Sequence, residues 1–131
     1  MYLASCLCQT VKFRLLDEMT DARYCHCALC RKFAGTCPAS WAVAKWQALV
    51  IESGASKVKE FNSGGGLRCF CGRCGSPLWF KSLAHPELVA IPLGVFDSGP
   101  VPEPNSHIWT SSSPEWSSIH DGLTQFAKNP K

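Results

Sequence analysis

The chain has 131 residues, of which 46% are hydrophobic and 18% are charged, and its formal net charge is +3. This apolar content excludes a disordered protein, and no segment approaches the ~18 uncharged apolar residues of a membrane span. Basic residues are few and scattered, which disfavours nucleic acid as a partner. We expect a single domain over residues 1–131.

Short strands and one helix are predicted in the first third of the chain. Apolar and polar side chains alternate over residues 11–15, which is typical of a half-buried strand. Residues Ala28–Ala34 predict a short helix that ends at Gly35, a residue suited to a helix C-cap. Trp41 and Val43 then indicate another strand.

Strand patterns continue through the middle of the chain. Residues 49–51 form a strand candidate, and residues 57–61 predict the return strand of a hairpin after a Ser-Gly turn. The Ser-Gly-Gly-Gly segment at 63–66 predicts a flexible loop. Two further apolar strands are predicted, at 77–80 and at 88–93.

The last third of the chain differs in composition. It is interrupted after Gly94 by a run of three serines and by Pro100, Pro102, Pro104 and Pro114. We expect an irregular C-terminal tail that packs on the β core and is pinned by Ile108, Trp109, Trp116 and Phe126. Together the patterns predict a mainly β fold, a single compact domain of short antiparallel strands.

Nine cysteines are far more than a chain of this length ordinarily contains. Eight of them lie in three clusters, Cys6-Leu7-Cys8, Cys25-His26-Cys27-Ala28-Leu29-Cys30 and Cys69-Phe70-Cys71-Gly72-Arg73-Cys74, whereas Cys37 stands alone. Such close neighbours are poor mutual disulfide partners, and an odd number leaves one thiol unpaired. No signal peptide is visible, so we expect reduced thiols and a cytoplasmic location.

The cluster spacing predicts zinc-knuckle elements. A short turn with two cysteines presents both sulfurs at about 2.3 Å from one tetrahedral zinc, and glycine relieves crowding in a turn such as Cys71-Gly72-Arg73-Cys74-Gly75. Spacing alone leaves the pairing open. Eight thiolates make two closed sites, whereas seven make one closed site and one three-thiolate site with an open position. The difference matters because closed zinc sites are usually structural and open ones usually catalytic.

Several groups of residues carry a resemblance to a known family. They are Cys6-Leu7-Cys8, Cys25 to Lys32, Arg68 to Leu78, and a closing segment with Gly94-Val95-Phe96-Asp97, His107-Ile108-Trp109, Trp116 and Asp121-Gly122-Leu123. In this order they resemble the glutathione-dependent formaldehyde-activating enzyme family, a group that centromere protein V also resembles.

The resemblance implies a β-rich fold with two zinc ions. Carried over to this chain, it implies a structural zinc on four thiolates, those of Cys6, Cys8, Cys71 and Cys74. It implies a second, catalytic zinc with an open position on Cys25, Cys27 and Cys30, and leaves Cys37 and Cys69 over. The implied reaction is of the carbon–sulfur lyase type: a glutathione-like thiol adds to formaldehyde or another small aldehyde, or the reverse.

Three alternatives stay open at this point. Cys37 can serve as a fourth ligand of the second site, which would make that site structural. The chain can instead be a zinc-ribbon-like binding module for nucleic acid or protein. It can also bind zinc without any turnover.

Other polar and aromatic residues receive weaker interpretations. His26, between two ligands, is expected to support them or to face solvent, and Arg68 and Arg73 are interpreted as solvated. Trp109 and Trp116 are the better candidates for a pocket wall because they lie on the irregular tail. Two further weak site candidates are His107 and Asp97.

Overall fold

The computed structural model describes residues 1–19 and 21–130. In chain order its strands are β1 (Tyr2–Ser5), β2 (Lys12–Leu15), β3 (Ala22–Cys25), β4 (Ala39–Lys45), β5 (Leu49–Ser53), β6 (Val58–Asn62), β7 (Gly66–Cys71), β8 (Pro77–Ser82), β9 (Leu88–Pro92), β10 (Phe96–Ser98), β11 (Ser106–Ile108) and β12 (Thr124–Gln125). One helix, α1, spans Ala28–Ala34. The predicted mainly β fold is confirmed, and every strand predicted from the sequence overlaps an observed strand.

The strands form two sheets. The smaller sheet has the order β10-β1-β2-β5, and the larger has the order β12-β11-β3-β4-β9-β8-β7-β6. The pairs that β11 makes with β3 and with β12 are parallel, and the others described are antiparallel. The last third of the chain contributes to both sheets, with β10 in the smaller one and β11 and β12 in the larger one.

One face of the larger sheet packs against the smaller sheet and forms the principal core. The alternation predicted around β2 holds, because Val11, Phe13 and Leu15 are all buried. The ring of Phe13 meets that of Trp79 on β8 edge to face, with centroids 5.2 Å apart. Burial of each large apolar side chain contributes about 1.5–3 kcal/mol, so apolar packing holds the two sheets together.

The opposite face of the larger sheet carries α1 and a second apolar cluster. Gly35, at φ 71°, ends the helix as predicted. Phe33 of the helix stacks on Trp41 of β4 with ring centroids 6.3 Å apart, which fixes α1 above the sheet. Within the described part of the chain, no helix has the length and apolar character needed to cross a membrane.

The predicted hairpin between residues 49–51 and 57–61 is wrong, although both strands exist. β5 pairs with β2 in the smaller sheet, whereas β6 pairs with β7 at the edge of the larger sheet. Gly54 adopts φ 76° and precedes a single 3-10 turn, which redirects the chain from one sheet to the other. A side chain at Gly54 would meet the backbone carbonyl of Thr10, so glycine is required there.

The glycine-rich segment at 63–66 is the tight connection of the β6–β7 hairpin. The backbone N–H of Ser63 donates to the carbonyl of Gly66 at 3.0 Å, and the N–H of Gly64 donates to the side chain of Asn62 at 2.9 Å. These bonds give the loop a defined turn geometry.

The C-terminal tail is less irregular than predicted. It adds β10 to the smaller sheet and β11 and β12 to the larger one. Ile108, Trp109 and Phe126 are half-buried, in line with their predicted role as pins. Trp116 is 69% exposed, so the prediction that it pins the tail is wrong.

Candidate metal centres and active site

Four cysteines that are distant in sequence come together from the two sheets. The sulfur atoms of Cys6, Cys8, Cys71 and Cys74 all lie within 4.8 Å of one another. The separations are 3.6 Å between Cys6 and Cys8 and 3.9 Å between Cys8 and Cys71. Four thiolates at about 2.3 Å from one zinc stand about 3.8 Å apart, so this four-cysteine cluster has the dimensions of a closed tetrahedral site.

Two tight turns present these sulfurs. In the first, the backbone N–H of Val11 donates to Sγ of Cys6 at 3.3 Å. In the second, the N–H of Arg73 donates to Sγ of Cys71 at 3.4 Å, and Gly75 closes the turn at φ 81°. Because N–H groups directed at a sulfur favour its charged form, both turns suit metal-ligating cysteines.

Ionisation is unequal within the four-cysteine cluster. Hydrogen bonds from the side chain and backbone of Ser76 lower the pKa of Cys74 to about 5. Burial raises the pKa of Cys6 to about 11. Four adjacent thiolates repel one another, so a cation is needed to hold the whole set in its ligating form.

The second cluster is assembled locally. β3 ends at Cys25 and α1 begins directly after Cys27, so the sulfurs of Cys25, Cys27 and Cys30 lie within 4.8 Å of one another. Cys27 is the N-cap residue of α1, and its sulfur accepts a hydrogen bond from the N–H of Cys30 at 3.3 Å. Cys25 is buried, whereas the other two members of this three-cysteine cluster are half-buried.

No fourth ligand joins this cluster among the cysteine, histidine and acidic residues that the structure describes. The sulfur of Cys37 lies outside this cluster, 3.6 Å from Nδ1 of His26. Cys69 is buried and packs with Trp79 in the principal core. All nine thiols are free.

Both clusters can hold a metal ion, and their all-sulfur donor sets are consistent with zinc. In the three-cysteine cluster, hydrogen bonding from Cys25 and then Cys30 lowers the pKa of Cys27 to about 2. Hydrogen bonding with Cys27 and then Cys30 raises the pKa of Cys25. These opposite shifts favour the thiolate form at Cys27 over Cys25, in keeping with the N–H of Cys30 that donates to Sγ of Cys27.

A buried chain of hydrogen bonds supports the segment between these ligands. His26 is fully buried, and its Nε2 lies 2.7 Å from Nδ1 of His107. Nε2 of His107 lies 2.8 Å from Oδ2 of Asp121. An ionised carboxylate only accepts, so this network assigns a proton to Nε2 of each histidine, and Nδ1 of His26 faces Cys37 as an acceptor. Burial lowers the pKa of His26, in keeping with a neutral ring.

This chain of hydrogen bonds changes the interpretation of three residues. His26 does not face solvent; it ties the three-cysteine cluster to β11 through His107 and through its own N–H, which donates to the carbonyl of Ile108 at 3.1 Å. His107 supports the loop between the ligands through its hydrogen bonds with His26 and Asp121. Sequence reasoning gave Asp121 no individual role, because the hydrogen bond that selects it joins residues far apart in the chain.

A cavity of about 500 Å³ opens onto the three-cysteine cluster. Its apolar wall is formed by Trp41, Val43, Phe80, Ala90, Ile108 and Trp109. Trp109 adopts φ 57°, a rare conformation for a bulky side chain, where the tail meets the wall. Its predicted place in a pocket wall is confirmed, whereas the same prediction for Trp116 is wrong.

Two arginines also line this cavity, which we call the cysteine cavity. Arg23 forms an ion pair with Asp21, with Nη2 and Oδ2 3.1 Å apart. Arg68 is only 5% exposed, so its interpretation as solvated is wrong. Its guanidinium lies 4.4 Å from the ring centroid of Phe80, and Nη1 donates to Sγ of Cys30 at 3.9 Å. The sequence held one signal for this role, since Arg68 is the single charged residue in the apolar strand β7.

The remaining candidates lie elsewhere. Arg73 is exposed, as expected, and donates to Oγ1 of Thr10 at 3.0 Å. Asp97 accepts a hydrogen bond from Ser5 at 2.6 Å and lines a second cavity of about 540 Å³, beside the four-cysteine cluster. Asp97 is therefore not part of the cysteine cavity.

The chain is similar to known proteins in sequence and in fold. Residues 1–112 match the family described as glutathione-dependent formaldehyde-activating enzyme. A Halomonas elongata protein that carries this family name is 29% identical over 123 residues, which cover 88% of this chain and 78% of that protein. The crystal structure of a Rhodobacter sphaeroides protein has a TM-score of 0.63 at 20% identity and covers 95% of this chain and 98% of that chain. At this identity the likeness concerns the fold alone.

Proposed function

The chain belongs to the glutathione-dependent formaldehyde-activating enzyme family, and from this premise we propose that it is a zinc-dependent enzyme of the carbon–sulfur lyase type. It adds a glutathione-like thiol to formaldehyde or another small aldehyde, or catalyses the reverse. In the forward direction a C–S bond forms and the carbonyl oxygen takes up a proton. The observation that carries the proposal is a three-cysteine cluster that opens onto a cavity and has no fourth ligand among the described residues.

We assign one zinc to each cluster. The four-cysteine cluster holds the structural ion, since its donor set is complete and it joins the two sheets. The three-cysteine cluster holds the catalytic ion through Cys25, Cys27 and Cys30. When bound, a zinc at an open site favours the thiolate form of a substrate thiol or polarises an aldehyde oxygen.

The chain's own residues prepare this site in three ways. The aromatic wall of the cysteine cavity limits the access of water, which strengthens electrostatic interactions within it. The buried Arg68 beside Cys30 offsets the negative charge of the sulfurs. The hydrogen bonds from His26 to His107 and Asp121 hold the loop between the ligands in one orientation.

We propose that residues 1–131 act as one catalytic domain. The tail completes the cavity, because Ile108, the last residue of β11, pairs with Cys25 of β3 and Trp109 forms part of the wall. We place the enzyme in the cytoplasm, where nine free thiols stay reduced.

Zinc content and turnover test the assignment together. Native mass spectrometry should find two zinc ions on the wild-type chain and one on Cys27→Ser, which should also lose thiol-dependent consumption of formaldehyde. Cys37→Ser is the matched control, because Cys37 lies outside both clusters, and it should keep two ions and full activity.

Two results would contradict the proposal. Full zinc content and activity in Cys27→Ser would remove the three-cysteine cluster from the reaction. Salt-sensitive binding of nucleic acid, without thiol-dependent loss of formaldehyde in the wild type, would favour a zinc-ribbon-like binding module.

A further inference from the structure

The cysteine cavity is much larger than formaldehyde requires. Its volume of about 500 Å³ falls within the range of roughly 300–1,000 Å³ typical of pockets for drug-sized ligands, whereas formaldehyde has two non-hydrogen atoms. A substrate that fills this space has a body of several carbon atoms. The size of the cavity therefore bears on which aldehyde the enzyme accepts.

The wall selects for an apolar body. Tryptophan, phenylalanine, isoleucine, valine and alanine side chains form most of it, and no carboxylate lines it among the described residues. Of its two cations, Arg23 is already paired with Asp21. The ammonium group of a zwitterionic peptide such as glutathione would meet no carboxylate of the described residues here and, apart from the sulfurs, only the neutral side chains of Ser112 and Asn129, which makes the carbonyl substrate the better occupant.

Arg68 supplies the polar end of the cavity. Its Nε donates to Oγ of Ser63 at 3.2 Å and its Nη1 donates to Sγ of Cys30 at 3.9 Å. The rings of Phe80 and Phe33, with centroids 4.4 and 5.5 Å from the guanidinium carbon, fix its orientation. The other N–H groups of the guanidinium have no acceptor among the described residues, so they are free to bind an oxygen atom beside the sulfurs.

We propose that the cysteine cavity binds an aldehyde with an extended apolar body, which lies along the aromatic wall while its carbonyl oxygen faces Arg68. This inference rests on the proposed function. The thiolate sulfur of the substrate thiol forms a bond to the carbonyl carbon of the aldehyde, and the π electron pair of the C=O bond moves to the oxygen. Arg68 N–H groups stabilise that oxyanion, and solvent water then protonates it.

A chain-length series tests the apolar body. Straight-chain aldehydes from propanal to heptanal share nearly the same electrophilic carbon, so differences in kcat/KM with one fixed thiol report on binding. Each fully buried methylene raises kcat/KM by up to about fourfold, the equivalent of about 0.8 kcal/mol. We expect an increase of at least about tenfold from propanal to heptanal, since the cavity is only partly enclosed.

Two pairs of variants separate the two ends of the substrate. Ala90→Phe narrows the cavity and should flatten the dependence on chain length, whereas Ala84→Phe, at an exposed position, should not. Arg68→Met should lower kcat/KM about 100-fold at every length, with Arg68→Lys recovering part of the loss. Arg14→Met, at a partly exposed arginine of the smaller sheet, is the matched control. Zinc content, measured on each protein, should stay at two ions if Arg68 acts on substrate rather than on the fold.

Binding without turnover gives an independent readout. Heptanamide, an unreactive carbonyl compound, should change the tryptophan fluorescence at lower concentration than acetamide, because Trp41 and Trp109 line the cavity. This titration also stands if Ala90→Phe fails to fold.

The outcomes are distinct. Turnover of formaldehyde with equal kcat/KM from propanal to heptanal overturns the inference but leaves the proposed function intact. A length dependence found with alkanethiols instead of aldehydes also overturns it, because the cavity then holds the thiol. If no aldehyde is turned over, the proposed function fails. Equal binding of heptanamide and acetamide would overturn the inference, because the cavity would then not select an apolar body.

Discussion

Replacement of both Cys71 and Cys74 by serine should lower the melting temperature about twice as much as replacement of Cys27 and Cys30. The first pair joins strand β7 to the turn after β1, and Cys8 and Cys71 are 63 residues apart in sequence. The second cluster lies wholly within residues 25–30. A metal at the four-cysteine cluster therefore closes a long loop, whereas one at the three-cysteine cluster closes a short one.

The magnitude follows from the entropy of loop closure. For a cross-link over 63 residues, the loss of the constraint costs about 4 kcal/mol in the free energy of unfolding. The loop closed at the three-cysteine cluster is shorter, so the Cys27→Ser/Cys30→Ser variant should lose about 2 kcal/mol less in the free energy of unfolding. For a chain of this size, about 4 kcal/mol corresponds to a fall of about 15 °C in Tm.

Thermal unfolding by circular dichroism, with and without a zinc chelator, measures these differences. Cys69→Ser is the matched control, since Cys69 is buried on the same strand, two positions before Cys71, but outside both clusters. Its effect gives the cost of placing a serine in the core. Equal losses of Tm in the two double variants, or a chelator effect of the same size in wild type and in Cys71→Ser/Cys74→Ser, would refute the reasoning.

Two further predictions concern single residues. Asp121→Ala should lower Tm at neutral pH, because it leaves the buried Nε2–H of His107 without its acceptor. The backbone N–H of Leu123 and then the hydrogen bond from His107 lower the pKa of Asp121. The stabilisation from Asp121 is therefore complete above about pH 4 and is lost as pH falls through the lowered pKa. A difference in Tm between variant and wild type that grew in acid would contradict this pH dependence. Gly54→Ala should be severely destabilising in a denaturant titration, because its Cβ would meet the carbonyl of Thr10. Gly75→Ala, also at positive φ but in open space, should cost only about 1–2 kcal/mol, and equal effects would refute the steric explanation.

Local features of the fold could be predicted from the sequence because they depend on near neighbours. The period of two over residues 11–15 correctly gave a buried face, and the bounds of α1 with its cap at Gly35 were correct. The close spacing of cysteines indicated thiolate sites for the same reason, since a few residues of backbone determine where two sulfurs stand.

Pairing between distant segments could not be predicted in this way. Two apolar strands joined by a short turn matched the pattern of a hairpin, but β5 and β6 belong to different sheets. Alternation records which face of a strand is buried and not which strand lies beside it. The partner is selected by contacts across the whole core, and the steric restriction at Gly54 then permits the chain to change sheets.

The sequence by itself therefore determined the cysteine clusters, the mainly β class and the resemblance to the family, since each is carried by residue type and spacing. Only the tertiary structure decided how the site is surrounded. It placed Arg68 within the cavity rather than in solvent, turned His26 towards His107 and Asp121, and kept Cys37 out of the three-cysteine cluster. These relations join residues that are far apart in the chain, and the burial of a charge or a ring depends on packing that local spacing does not encode.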